Sequence, residues 1–290
     1  MKKTYWILPL LLFLLLLYRS DFFGVFPKDL RLEVHFIDVG QGDSTLVISP
    51  GGKTLLIDAG NNDQGDEVTA YLRSLDIDRI DVLIGTHPDA DHIGGIDVVI
   101  DNFSIGHFYM PMKYHETKTF RDVLLAAERK GLSIEPVYAG DRFFFDPDVE
   151  TLFLNPIKSK HYENNNSYSA VVFLRYRQSE FLFMGDADKE NEADILRAYP
   201  LRADILKLGH HGSSTSSSES FLTRIDPIAV VVSAGYKNKY GHPHKEILDR
   251  LQKKNLPLYR TDEQGDIIIR TDGMTITANR PYGSYSYRRK

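Results

Sequence analysis

The stretch THPDADHIGG, residues 86–95, places four potential metal ligands within six residues, and these are His87, Asp89, Asp91 and His92. An apolar run at residues 79–85, typical of a buried strand, precedes it, and residues 93–100 open like a helix. Imidazole and carboxylate groups suit zinc, manganese or iron, and hydrolytic metal sites keep one position open for water. Solvation of a loop explains a single histidine better than it explains this spacing. We therefore predict a metal site at the C-terminal end of a strand, where active sites of layered α/β proteins collect.

The composition is that of a globular protein without cysteine. Of its 290 residues, 42% are hydrophobic and 26% are charged, which is enough for a packed core. Because there is no cysteine, every metal ligand must offer nitrogen or oxygen. The formal net charge of −5 argues against a broadly basic nucleic-acid surface and leaves room only for a local basic patch.

The N-terminus resembles an export signal. Lys2 and Lys3 precede a Leu-rich apolar stretch at residues 5–18. This stretch is shorter than the roughly 20 residues of a spanning helix, which favours a signal peptide. Residues 19–26 offer no small-x-small cleavage site, and their aromatic side chains suit the membrane interface, which favours an uncleaved anchor. We expect residues 1–29 to place the protein outside the membrane, anchored or secreted, with a slight preference for the anchor.

Histidines gather in two further motifs along the chain. Residues 209–214 read GHHGSS and contain His210 and His211, and residues 240–244 read YGHPH and contain His242. Six of the ten histidines fall in these two motifs and the stretch at 86–95, each after a predicted strand. This concentration predicts that one site collects them.

The spacing His87-x-Asp89-x-Asp91-His92 resembles the His-x-His-x-Asp-His signature of the metallo-β-lactamase superfamily, with Asp89 where most members carry the second histidine. The opening FIDVGQGDS at residues 36–44 and the later Gly-Asp, His-His-Gly-Ser and Gly-His-Pro-His motifs resemble the soluble domain of ComEC-type competence proteins. The resemblance implies an αββα sandwich over residues 30–279. Strands and helices alternate in two series, 32–154 and 170–278, which fits that fold, and no second domain is expected.

The resemblance also implies two divalent metal ions, zinc or manganese. His87 and Asp89 would hold one ion with help from the His210-His211 pair, and Asp186 would bridge both ions. The second ion would be held by Asp91, His92 and His242. We take Asp91 and His211 as the catalytic residues, which orient the attacking water and protonate the leaving oxygen, although the sequence does not separate ligand from proton donor within the histidine pair.

Four further residues are expected around the metals. The family position of Asp58 supports a ligand from behind, while a helix cap or turn is its alternative role. Residues 164–169, NNNSYS, stand where many relatives carry a third histidine, so one metal lacks a ligand. There Asn166 contacts substrate or water, or only forms a turn. Asp43 follows Gly40-Gln41-Gly42, whose two glycines let the backbone bend close to a bound ligand. Ser213 begins a Ser/Thr-rich segment that we expect to cap a helix and to offer hydrogen-bond donors to an anionic substrate.

Three functions are consistent with these features. The first is a phosphodiesterase, most plainly a DNase acting outside the membrane; the second is a hydrolase of another phosphoester, such as a phosphocholine-decorated wall polymer. The third is a tethered binding module without catalysis, which intact ligand positions disfavour, and β-lactam hydrolysis fits the ligand pattern least. The tail at residues 280–290 alternates tyrosines with basic residues, so it would stack on single-stranded bases, lie on an anionic membrane, or be a disordered end.

Overall fold

Two β-sheets lie face to face, and helices cover the outer side of each sheet. The computed structural model describes residues 31–287, so the expected export segment at residues 1–29 lies outside the described residues. No helix within the described part combines the length and apolar character needed to cross a membrane. The four layers confirm the predicted αββα sandwich.

The first sheet has the strand order β14-β13-β1-β2-β3-β4-β5-β6. Its strands β3 to β6 run parallel, whereas β13, β14, β1 and β2 pair antiparallel with their neighbours. The strands are β1 Leu32–Phe36, β2 Thr45–Ile48, β3 Thr54–Ile57, β4 Arg79–Ile84, β5 Ser104–Met110, β6 Ile134–Pro136, β13 Ile267–Thr271 and β14 Ile276–Ala278.

The second sheet has the order β12-β11-β10-β9-β8-β7. Strands β9 to β12 are parallel, and β7, β8 and β9 form an antiparallel meander. The strands are β7 Val149–Asn155, β8 Val171–Tyr176, β9 Ser179–Phe183, β10 Ile205–Lys207, β11 Ala229–Val232 and β12 Leu258–Arg260. Since parallel strands end at the same edge, the loops after β9, β10 and β11 meet there, opposite those after β3 and β4.

The helices bury one apolar face each against a sheet, as the four-layer arrangement requires. Helices α1 Gly65–Ser74, α2 Ala90–Ile93, α3 Ile96–Asn102 and α4 Lys118–Arg129 belong to the first half of the chain. Helices α5 Lys189–Ala198, α6 Glu219–Ile225, α7 Lys245–Lys253 and α8 Thr261–Gln264 belong to the second. A central core fills the space between the sheets, and each half of the chain has one further core between its sheet and its helices.

One local expectation differs from the structure. The helix expected over residues 93–100 is split into α2 and α3 around Gly94. A Cβ on Gly94 would lie 2.3 Å from the Asn62 backbone nitrogen, so the residue permits a close approach of two loops.

The part of the C-terminal tail that the structure describes, up to residue 287, contacts the domain. Gly283 N donates to Leu258 O at 2.7 Å, and the buried Arg260 guanidinium donates to the carbonyl oxygens of Ser284 and Ser286.

Candidate metal centre

Asp186, in the turn after β9, stands at the centre of the histidine cluster. Its Oδ1 lies 3.1 Å from His92 Nε2 and 3.6 Å from His211 Nε2. Its Oδ2 lies 3.6 Å from His210 Nε2 and 3.9 Å from His87 Nε2. The two oxygens of one carboxylate therefore face two different groups of imidazoles.

The group at Oδ1, which we call the inner group, consists of Asp91, His92 and His211. His211 Nε2 lies 3.4 Å from Asp91 Oδ2, and both histidine side chains are fully buried. Ligand atoms of Asp43, His92, Asp186 and His211 lie within 4.8 Å of one another, a spacing that fits one metal ion. The inner group is closed to solvent except at the Asp91 side chain, which is 25% exposed.

The group at Oδ2, the outer group, consists of His87, Asp89 and His210. His87 Nε2 lies 3.7 Å from Asp89 Oδ2. The side chains of Asp89 and His210 are 35% and 26% exposed, so this half opens toward solvent. His210 is the second imidazole of this group, to which residues 164–169 contribute no histidine.

Buried polar atoms with no hydrogen-bond partner show that the residues fit a metal. The Nε2 atoms of His87, His92 and His211 and Oδ1 of Asp186 are all in this state. Buried polar atoms are normally paired, so a converging set of unpaired nitrogens and oxygens calls for a cation. The ligands would be those of the inner and outer groups with Asp186 shared between them.

The backbone at the histidine pair is strained in a way that separates the two rings. His210 and His211 both have left-handed conformations, with φ of 49° and 52°, which non-glycine residues rarely adopt. The His210 backbone N–H donates to Gly185 O at 3.0 Å and fixes this turn beside Asp186. Consequently the adjacent imidazoles reach different oxygens of one carboxylate. Strained backbone conformations of this kind are often found at functional sites.

Asp58 orients His92 from behind. Its Oδ2 lies 2.8 Å from His92 Nδ1, which leaves Nε2 directed at Asp186. The same carboxylate accepts hydrogen bonds from the backbone N–H and hydroxyl of Thr86, at 2.8 and 2.7 Å. Asp58 caps no helix of the described chain, so of its two expected roles the geometry favours support of a ligand.

Asp43 and Lys207 stand in the same way behind His211. His211 Nδ1 lies 3.0 Å from Ser233 O and 3.2 Å from Asp43 Oδ1. The ammonium group of Lys207, 2% exposed, lies 2.5 Å from Asp43 Oδ2. Sequence reasoning missed Lys207, although a lysine at the end of the apolar strand β10 was a signal, because buried lysines require a partner.

Neighbouring carboxylates favour protonation of the inner histidines. Burial opposes protonation of His92, but the carboxylates of Asp186 and Asp58 outweigh it and raise the pKa of His92 well above its usual value. Burial is likewise outweighed at His211, where Asp186 and Asp43 raise the pKa to about 10. A metal ion must therefore displace protons here.

The outer histidines have the opposite tendency. Burial lowers the pKa of His87, and the neighbouring His92 charge adds to this effect. Burial also lowers the pKa of His210, although Asp186 opposes the change. Asp91 is ionised: burial raises its pKa, but the hydrogen bond and charge from His211 and the charge of His92 lower it to about 2.

The allocation of histidines differs from the one expected from the sequence. His211 lies with Asp91 and His92, whereas only His210 lies with His87. The ring of His242 lies 5.4 Å from that of His210 and 5.9 Å from that of His211, and it has no carboxylate within ion-pair distance among residues 31–287. Burial and then the charge of His211 lower its pKa to about 3. His211, predicted as a catalytic residue, is buried, whereas the side chain of His210 is 26% exposed.

The predicted substrate residues contact the outer group rather than open solvent. Asn166 Nδ2 lies 3.3 Å from both ring nitrogens of His210. Its neighbour Asn165, which the sequence did not single out, donates to Asp89 Oδ1 at 3.0 Å. Ser213 is buried, and its hydroxyl accepts from Thr215, whose own hydroxyl lies 2.9 Å from His210 Nδ1.

A four-layer sandwich that carries a cluster of histidines and aspartates at the ends of its strands defines a class of metal-binding protein, and comparison with known proteins gives the family. The chain belongs to the metallo-β-lactamase superfamily, whose family model matches residues 37–236. Among solved structures it is similar to the metallo-β-lactamase fold protein YhfI from Bacillus subtilis, with a TM-score of 0.52 and 12% identity over 83% of this chain and 99% of that one. CmlA, a diiron β-hydroxylase from Streptomyces venezuelae, gives a TM-score of 0.52 and 14% identity over 79% of this chain and 52% of CmlA. At these identities the likeness concerns the fold alone.

Curated relatives extend the similarity to competence-type proteins. The chain is 33% identical to ComE operon protein 3 of Bacillus subtilis over 82% of its own length. It is 30% identical to competence protein ComA of Neisseria gonorrhoeae over 79% of its length and 27% identical to recombination protein 2 of Haemophilus influenzae over 82%. The matches span 33%, 30% and 28% of those proteins, so the chain spans about a third of the length of these relatives.

Proposed function

We propose that the protein is a metal-dependent phosphodiesterase that cleaves DNA outside the membrane. The observation that carries the hydrolytic part is the convergence of unpaired, buried imidazole nitrogens on the two oxygens of Asp186. Competence-type relatives make DNA the first substrate to test, and the apolar segment at residues 5–18 motivates the location and the contact with a membrane.

Zinc or manganese ions at the inner and outer groups would supply an acidified water and neutralise the charge that develops on a phosphoryl oxygen. The protein's own residues then have separate tasks. Asp91, ionised and partly exposed, accepts a hydrogen bond from the attacking water and orients it. His210, whose Nδ1 lies 2.9 Å from the Thr215 hydroxyl, would bind a metal ion of the outer group through Nε2.

Hydrolysis by the purified chain tests this proposal. The chain is stripped of metal, given zinc or manganese, and supplied with single-stranded DNA, duplex DNA or bis(p-nitrophenyl) phosphate. Asp91→Asn should lose more than about 100-fold in rate, because even residues behind a ligand typically account for 10- to 100-fold. Asp101→Asn, a surface carboxylate paired with Arg129, is the matched control and should keep the rate.

The substrate panel separates the outcomes. Metal-dependent DNA cleavage that Asp91→Asn abolishes supports the nuclease. Cleavage of the small diester alone keeps the metal-dependent reaction and moves the substrate to another phosphoester. Absence of both hydrolysis and bound metal contradicts the enzyme.

A further inference from the structure

A cleft of about 650 Å³ opens directly beside the metal centre. Asp89, Ala90 and Asp91 form its floor, so the carboxylates of both the inner and the outer group face it. Gln41 and Asn61 line one side. Residues 237–240 also line the cleft, and they belong to the loop after β11, residues 236–241, which reads YKNKYG and which we call the Tyr/Lys loop.

The Tyr/Lys loop is held in shape by Asn238. The Asn238 side chain donates to the carbonyl oxygens of Gly235 and His242, at 2.9 and 2.6 Å. Its Oδ1 accepts from the backbone N–H groups of Tyr240 and His242, at 3.1 and 3.0 Å. One amide therefore uses its hydrogen bonds inside the loop, which leaves the flanking side chains to the cleft.

Those flanking side chains alternate cations with aromatic rings. Tyr236 and Tyr240 are 59% and 51% exposed, and both lysines are exposed. The Lys237 ammonium lies 5.3 Å from the Tyr236 ring centroid, and that of Lys239 lies 4.9 Å from that of Tyr240. Neither lysine has an ion pair with an acidic side chain in the described part of the chain. Both charges thus remain available to an anion beside a floor that is itself acidic.

Gln41, which also lines the cleft, offers an unpaired donor. Gln41 Oε1 accepts from Gly235 N at 3.3 Å and so joins Gln41 to the base of the Tyr/Lys loop. Gln41 Nε2 is buried and has no hydrogen-bond partner. A buried amide donor without a partner at the wall of a cleft is suited to an acceptor oxygen of a ligand.

We propose that the Tyr/Lys loop binds one strand of single-stranded nucleic acid and feeds its phosphodiesters to the metal centre. Lys237 and Lys239 pair with phosphates flanking the scissile one, while a base stacks on Tyr240. Cation–π contacts at exposed sites are weaker than base–aromatic stacking, so Lys239 can leave the Tyr240 ring for a phosphate when a base takes the ring. Duplex DNA keeps its bases stacked inside and cannot use Tyr240. This inference deepens the proposed function and rests on it.

Binding by the metal-stripped full chain tests the loop apart from cleavage. Fluorescence anisotropy follows a labelled oligothymidylate of about 20 nucleotides, beside the same length of duplex. Tyr240→Ala should weaken single-strand binding by about 5- to 100-fold, the range that loss of one stacked base produces. Tyr240→Phe should retain binding, and Tyr114→Ala, which removes a tyrosine that is 72% exposed elsewhere, is the matched control.

The lysines are tested through salt dependence. K237Q/K239Q should lower the slope of log Kd against log salt by about 1.4, at about 0.7 for each lost phosphate contact. K253Q/K254Q removes two positive charges at the end of α7 and should leave the slope unchanged.

Each contrary outcome has a defined meaning. Equal binding by wild type and Tyr240→Ala, equal affinity for duplex, or binding of inorganic polyphosphate as tight as that of the oligonucleotide would overturn a strand-binding loop. Those results leave the proposed function standing if the metal-loaded wild type still cleaves DNA. Failure of the wild type to cleave DNA refutes the proposed nuclease and is read from a separate assay.

Discussion

Replacing Asp58 by asparagine removes the charge behind His92 with almost no change of shape. Asp58 is fully buried, and its φ of 59° lies in the left-handed region that asparagine adopts readily. The backbone therefore need not move. What changes is the hydrogen bonding, because one carboxylate oxygen becomes an NH₂ group that donates and does not accept.

Neither orientation of the new amide satisfies its neighbours. With NH₂ at the Oδ1 position, it faces the Thr86 backbone N–H that now lies 2.8 Å from Oδ1. With NH₂ at the Oδ2 position, it faces His92 Nδ1, 2.8 Å away, and favours the tautomer that carries its proton on Nε2. That nitrogen is the one directed at Asp186, so the ligand atom is blocked. Loss of a residue behind a metal ligand typically weakens metal binding 10- to 100-fold, about 1.4–2.7 kcal/mol.

Competition with a chromogenic zinc chelator measures this loss on the stripped chain. Asp146→Asn is the matched control: Asp146 is also a buried carboxylate, and it accepts from the Ser49 hydroxyl at 2.6 Å and from the Asp148 N–H at 2.8 Å. It lies beside the turn before β3, whereas Asp58 follows that strand. Both variants should lose stability, and only Asp58→Asn should lose zinc affinity. Wild-type affinity in a folded Asp58→Asn, or an equal loss in Asp146→Asn, would refute the reasoning.

Three further predictions follow from the same contacts. Because carboxylates raise the pKa of His92, and that of His211 to about 10, zinc affinity should rise between pH 7 and pH 10, up to about tenfold per pH unit for each displaced proton. Calorimetry in buffers of different ionisation enthalpy measures the released protons, and a zinc affinity that does not depend on pH contradicts the prediction. Burial lowers the pKa of His35 although Glu33 opposes this change, so on acidification His35 is protonated in the unfolded chain before it is protonated in the folded one. The free energy of unfolding should therefore fall as the pH drops below about 6.5. Urea titrations of the wild type measure this fall, and His35→Gln should flatten it. Lys207→Met should cost about 3–5 kcal/mol, because it removes the ammonium group from the buried Oδ2 of Asp43, although His211 still lies 3.2 Å from Oδ1. Adding Asp43→Asn should restore part of that loss in urea unfolding, whereas an additive double variant would refute the pairing.

The fold was predictable where its signals are local. Helix α5 begins after Asp188, an N-cap that the sequence signals locally, because its side chain accepts from the N–H groups of Glu190 and Asn191 in a capping box. The split between α2 and α3 was not predictable, since it depends on Gly94 meeting the distant Asn62. The alternation of predicted strands and helices indicated the layers of the fold. It contains no information about which loops contact each other.

The site shows the same division between residue type and partner. Ligand chemistry and spacing marked His87, Asp89, Asp91 and His92 because all four lie within six residues of sequence. His210 and His211 are neighbours in sequence, and only two successive left-handed residues beside Gly185 send them to opposite oxygens of Asp186. Sequence adjacency therefore carries no information about which imidazole joins which ligands.

The two halves of the centre are supported by different chemistry. Behind the inner histidines stand charged, buried groups, namely Asp58, Asp43 and Lys207. Behind the outer ligands stand neutral amides and a hydroxyl, namely Asn165, Asn166 and Thr215. Charged partners fix the orientation and raise the basicity of a ligand, whereas neutral ones in a partly exposed setting hold it less firmly. The inner half would therefore hold an ion more rigidly than the outer half, where the side chains of Asp89 and His210 are 35% and 26% exposed.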